Sequence, residues 1–209
     1  VLVKAIYLSL DPYMRGRMND TKSYAASAEI GGVMTGETVA EVVESKNAAF
    51  KAGDVVCAHT GWQQYALSDG KNLRKVDPKL VPLSTYLGVV GMPGVTAWIG
   101  LLDIGEPKPG ETVVVAAASG AVGGVVGQLA KMKGARAVGV AGGKEKCDFV
   151  VKELGFDACV DHRSETFLKD LADATPKGVD VYFENVGGRI LDAMLARANP
   201  FARFPFCGM

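Results

Sequence analysis

Histidine is scarce in this chain: His59 and His162 are the only two in 209 residues. The four cysteines, Cys57, Cys147, Cys159 and Cys207, lie far apart. These shortages leave little from which to build a metal centre. Cys57 and His59 stand two positions apart and could begin a zinc site, but no C-x-x-C pair completes it. No metal is expected. The same cysteine spacing lacks the density of a secreted disulfide framework, so a reducing, cytoplasmic setting is expected.

An excess of charge of either sign is also missing. Twenty-three Lys and Arg residues balance 23 Asp and Glu, for a formal net charge of zero. Without a basic stripe interleaved with aromatics, neither nucleic acid nor an anionic membrane surface is an expected partner. Two uncharged runs, Leu80 to Leu102 and Thr112 to Ala130, approach the length of a bilayer span. The first is broken by Pro82, Pro93 and four glycines, and proline interrupts the ladder that a lipid-exposed helix must keep. The second changes period at its middle, from a β-branched strand to helical spacing. Neither run reads as a membrane span.

The remaining composition, 48% hydrophobic and 22% charged, is that of a globular chain large enough to bury a core. The chain begins inside a strand pattern at Val1 and stops at Met209 after another, so a fragment truncated at both ends is expected. Its first part is strand-rich ("VLVKAIYLSL", "GETVAEVVES", "GDVVCAH", "WQQYAL") and punctuated by glycine turns. From about residue 85 strands and helices alternate. "TVVVAA", "ARAVGV", "DACVDH" and "VDVYFEN" are followed by expected helices at 121–133, 144–154, 164–174 and 188–198, and "ARFPFC" is the expected last strand. Such alternation means parallel βαβ units in an open, doubly wound sheet.

Between the first of those strands and its helix, Ala118-x-Gly120-x-x-Gly123 stands where a dinucleotide fingerprint has G-x-G-x-x-G. In that reading Gly120 admits a pyrophosphate close to the backbone, and the N–H groups of Ala121, Val122 and Gly123 point at it from the helix N-terminus. Glycines serving only helix–strand packing remain the alternative. A free ribose 2′-hydroxyl usually meets an acid about twenty residues further on. Here the second strand ends in Gly142-Gly143, followed by Lys144 and Lys146, which gives space and positive charge for a 2′-phosphate; NADP(H) is therefore favoured. The lysines could instead be solvated surface charge. Asn185, ending the fourth strand, is a candidate for the cofactor's ribose or carboxamide, or else a turn-former. His162, ending the third, is a candidate donor to the 2′-phosphate, or else a strand-end polar group.

Five segments together, "DPYMRGRM" (11–18), "GMPGVTAWIGL" (91–101), "AASGAVGGVVGQLAKMKG" (117–134), "AGGKEKCDFVVKELGFDACVDH" (141–162) and "VYFENVGG" (181–188), resemble the zinc-lacking branch of the medium-chain dehydrogenase/reductase superfamily. Within it they are similar to the leukotriene B4 12-hydroxydehydrogenase/prostaglandin reductase group, which includes plant alkenal double-bond reductases and bacterial curcumin reductases. The resemblance implies a partial GroES-like catalytic domain over 1–84 and an incomplete Rossmann domain over 85–209. It implies NADPH-dependent reduction of a carbon–carbon double bond conjugated to a carbonyl, with a small enone or alkenal as substrate. Carried over, it implies that Ala121, Val122, Gly123 and Gly124 hold the pyrophosphate and Lys146 the 2′-phosphate. Asn185, Cys207, Gly208 and Met209 then lie along the nicotinamide half, with Met92 and Thr96 near it. Tyr13 faces the substrate, and His162 stands where mammalian and plant members have tyrosine.

Hydride addition to such a substrate needs a donor for the developing enolate oxygen and a proton for the α-carbon. The group's candidate tyrosine falls beyond Met209, so no catalytic residue is assigned and the fragment alone is expected to show little activity. A non-catalytic NADPH-binding protein and an alcohol dehydrogenase are the alternative functions. Oligomeric state is left open, a homodimer of the full-length parent included.

Overall fold

The computed structural model describes residues 1–208; Met209, one of the expected cofactor residues, lies outside the described residues. The chain divides into two compact units, Val1–Gly91 and Met92–Met209.

The first unit is an antiparallel sheet in the order β4-β1-β2-β3-β5, from β1 (Leu2–Leu8), β2 (Thr38–Glu44), β3 (Val55–Ala58), β4 (Tyr65–Leu67) and β5 (Arg74–Lys75). Alternating side chains fill one core with Val3, Ala40, Val42 and Val56, and another with Val39, Cys57, Tyr86 and Leu87. Cys57 is thus a core residue, and burial pushes its thiol up. His59 lies beyond the end of β3 and is exposed. "DPYMRGRM" folds into a short helix, α1 (Tyr13–Arg17).

The second unit opens with Met92–Gly105, which starts as α2 (Met92–Trp98) and continues as a π-helical turn over Ile99–Gly105. A Cβ on Gly100 would stand 2.6 Å from the Phe183 ring and 3.3 Å from Cys207 Sγ, so only glycine lets this helix press onto the sheet there. Then follow β6 (Thr112–Ala116), α3 (Gly123–Met132), β7 (Arg136–Ala141), α4 (Lys144–Lys152), β8 (Ala158–Asp161), α5 (Phe167–Ala174), β9 (Val179–Phe183), α6 (Gly188–Leu195) and β10 (Ala198–Arg203). The strands pair in parallel in the order β10-β9-β6-β7-β8.

Both faces of this sheet are covered, which is why β6 is apolar at nearly every position and buried at all of them. Val113 and Val115 face a layer with Leu101, Val126, Ala130 and Phe156; Val114 and Ala116 face Phe167, Leu171, Ile190 and Met194. The last helix and strand differ from expectation. α6 stops at Leu195 rather than near 198, and β10 begins at Ala198 rather than in "ARFPFC". Pro200 disfavours helix at the residue before it, and the Asn199 side chain is held by the Lys177 carbonyl and Asp180. Phe206 still reaches the sheet through an isolated bridge to Glu184. Among the described residues no helix is long and apolar enough to cross a membrane.

Candidate cofactor site

The amino-terminal edge of the parallel sheet spends its acids on structure. Asp180 accepts the N–H of Thr112 and Asp157 that of Ala137, each at 2.8 Å. The carboxyl edge is different. The chain leaves β6 in both directions along the sheet, so the crevice between β6 and β9 is the switch point where open α/β sheets bind ligands.

At that point β6 passes into the glycine turn. Ala117 adopts a left-handed φ of 49°, and its carbonyl accepts the N–H of Gly120 at 2.9 Å. A Cβ on Gly123 would overlap this carbonyl, so the first residue of α3 must be glycine for the turn to close against the helix. Gly127, one turn on, lies flat against the Phe156 ring. α3 begins without a side-chain cap. Among the described residues, nothing in the protein accepts the N–H groups of Ala121, Val122 or Gly123. Three free donors at the positive end of a ten-residue helix form a cradle for an anion. A Cβ on Gly120 would meet only the Ala117 carbonyl, at 3.1 Å, so its outer side is open.

The turn after β7 is Gly142-Gly143, with Gly143 at φ 93°. No acid belongs to this turn, but a neighbouring strand supplies one. Asp161, the last residue of β8, accepts the N–H groups of both Gly143 and Arg163 on one oxygen, each at 2.9 Å. Those two bonds hold its carboxyl below the usual carboxylate range. His162 donates its backbone N–H to the Ala141 carbonyl. Its Nε2 and the Arg163 Nε lie 3.0 and 2.9 Å from where a Gly142 Cβ would stand. Lys144 is tied to Asp148, whereas Lys146 is exposed and has no ion-pair partner among the described residues.

At the end of β9, Asn185 donates its amide to the Ala116 carbonyl at 2.9 Å, tying the two strands that flank the switch point. Its Oδ1 is left to accept. Glu184 beside it is fully buried, and its Oε1 takes the N–H groups of Val186 and Gly187. The Glu184 carbonyl takes those of Cys207 and Gly208, so one residue fixes both turns. The second carboxylate oxygen and the nearby Tyr182 hydroxyl are buried without hydrogen-bond partners. Burial, with the Glu184 charge behind it, raises the Tyr182 hydroxyl well above its usual range. Burial also pushes up the Cys207 thiol.

Apart from Met209, the sequence-expected residues of the second unit therefore lie on the turns and first helical turns at one sheet edge, with Met92 and Thr96 on α2. There the Thr96 hydroxyl is engaged with the Met92 carbonyl. Tyr13 belongs to the first unit and is half-buried, with the Arg17 guanidinium 5.8 Å above its ring. Asp161, Arg163 and the clamping role of Glu184 escaped sequence reasoning. An acid closing a β-strand carries no mark of whether it meets solvent or backbone.

The comparisons agree with this fold. A family model for the N-terminal domain of oxidoreductase matches residues 1–76, and one for zinc-binding dehydrogenase matches 121–209. The chain is 55% identical over 209 residues to the NADPH-dependent curcumin reductase of Escherichia coli (strain K12), covering all of this chain and 61% of that protein. It is 47% identical over 215 residues to the NADP(+)-dependent 2-alkenal reductase of Nicotiana tabacum, again along the whole chain and over 62% of the relative. The structure of CurA in complex with NADPH from Vibrio vulnificus superposes with a TM-score of 0.96 at 53% identity, over 100% of this chain and 62% of that one. The chain thus spans about three fifths of the length of these relatives. With an antiparallel part and a parallel Rossmann-like sheet carrying these turns, the chain is similar along its whole length to the zinc-independent medium-chain dehydrogenases/reductases.

Proposed function

We propose that the protein is an NADPH-dependent reductase of the double bond in α,β-unsaturated aldehydes and ketones. The observation that carries this reading is the row of free N–H groups on Ala121, Val122 and Gly123, beside a glycine turn rimmed by cations. The donor set suits a pyrophosphate at α3 and a 2′-phosphate at the β7 turn. Relatives whose names specify curcumin and 2-alkenal reduction with NADPH or NADP(+) support the substrate class.

When bound, NADPH supplies a hydride for the β-carbon of the substrate. This chain's part is to bind and orient. Ala121, Val122, Gly123 and Gly124 hold the pyrophosphate through backbone, and Lys146 and His162 meet the 2′-phosphate. The Asn185 Oδ1 and the Cys207–Gly208 turn border the nicotinamide half, with Met92 and Thr96 on the helix beside it. Negative charge then builds on the substrate's carbonyl oxygen, which requires a hydroxyl donor; no residue of this chain is assigned that role.

Fluorescence titration tests the cofactor half of the reading. NADPH binds more tightly than NADH, and Lys146→Ala weakens NADPH by about 1.5–3 kcal/mol while leaving NADH unchanged. Equal affinities for the two cofactors in the unaltered protein contradict it.

A further inference from the structure

Arg163 lies just past β8, where the sequence gives no motif to single it out. Three features give it a place. Its backbone N–H shares the Asp161 oxygen that also holds Gly143, so the segment carrying Arg163 is pinned to the turn at the start of α4. Its side chain crosses that turn, with Nε and Cζ 2.9 and 3.1 Å from where a Gly142 Cβ would stand. A side chain at 142 would displace the guanidinium from that place. Finally, its charge is not consumed: Lys144 and Lys152 both pair with Asp148, but the Arg163 guanidinium has no hydrogen-bond or ion-pair partner among the described residues.

From these we infer that Arg163 is a further specificity-determining cation, beside Lys146, for the cofactor's 2′-phosphate, resting on the NADPH reading above. The end of β7 is where the adenosine ribose sits in a doubly wound sheet. A planar guanidinium held over that turn offers a fork of donors to a phosphate, which a lysine or an imidazole cannot match. Its charge also offsets the Asp161 carboxylate, which otherwise disfavours an anion at this turn. Asp161 acts on the ligand only through the backbone it fixes; Arg163 touches it.

Calorimetric titration with two adenosine nucleotides, 2′,5′-ADP and 5′-AMP, separates the 2′-phosphate from the rest of the cofactor. Replacing the exposed Arg163 (Arg163→Gln) is expected to weaken 2′,5′-ADP binding tenfold to a hundredfold and 5′-AMP binding less than twofold. Arg163→Lys keeps the charge without the fork and is expected to fall between the two. Unchanged 2′,5′-ADP affinity in Arg163→Gln, or equal weakening of both nucleotides, overturns the inference while leaving the cofactor reading intact. Failure of the unaltered protein to bind either nucleotide overturns the cofactor reading, and the inference with it.

Discussion

The carboxylate of Asp161 accepts the N–H of Gly143 at 2.9 Å, so an acid at the end of β8 fixes the turn at the end of β7. Asp161→Ala removes the acceptor from two backbone N–H groups and is expected to weaken NADPH binding through a loosened turn. The pH dependence has a definite sign. The folded-state pKa of Asp161 is lowered, so its contribution to stability is present above the ordinary carboxylate pKa of about 3.9. It is lost as pH falls through the folded value. Thermal midpoints of the unaltered protein and Asp161→Asn should differ most near neutrality and converge in acid; a constant difference down to acid pH contradicts this.

Two glycines of α3 predict opposite phenotypes. Gly123→Ala forces a methyl into the Ala117 carbonyl and is expected to open the turn and abolish NADPH binding, because backbone cannot move aside. Gly127→Ala pushes against the Phe156 ring in the core. It should cost about 1–3 kcal/mol of stability and leave the affinity of the folded fraction within twofold. Paired denaturant and fluorescence titrations distinguish the two.

The buried pair on β9 makes a third prediction. Glu184→Ala strips the Val186 and Gly187 N–H groups of their acceptor and should destabilise by about 1–3 kcal/mol. Tyr182→Phe removes a hydroxyl that has no partner, so it should be neutral or stabilising. A large loss in Tyr182→Phe, measured by urea denaturation, shows that the hydroxyl is engaged after all.

How much of this was legible beforehand follows from which interactions are local. The strand–turn–helix around Gly120 depends on neighbours in sequence, and periodicity and glycine spacing revealed it. The four parallel strands from β6 to β9 read clearly because a sheet covered on both faces leaves almost unbroken apolar runs. The boundary of α6 and β10 was misread, since "LARA" favours helix and the stop comes from Pro200 and from Asn199 bonding back across the sheet. Arg163 and Asp161 were invisible for a related reason. Their roles depend on Gly142 and Gly143, about twenty residues upstream, and only the β7–β8 pairing brings them together.

The central claim is that the protein reduces a conjugated carbon–carbon double bond with NADPH. The most direct measurement is product analysis after incubating the full-length protein with an α,β-unsaturated ketone and NADPH deuterated at the transferring position. The account predicts a saturated ketone carrying one deuterium at the β-carbon. An allylic alcohol with deuterium on the former carbonyl carbon, or no NADPH-dependent product, contradicts it.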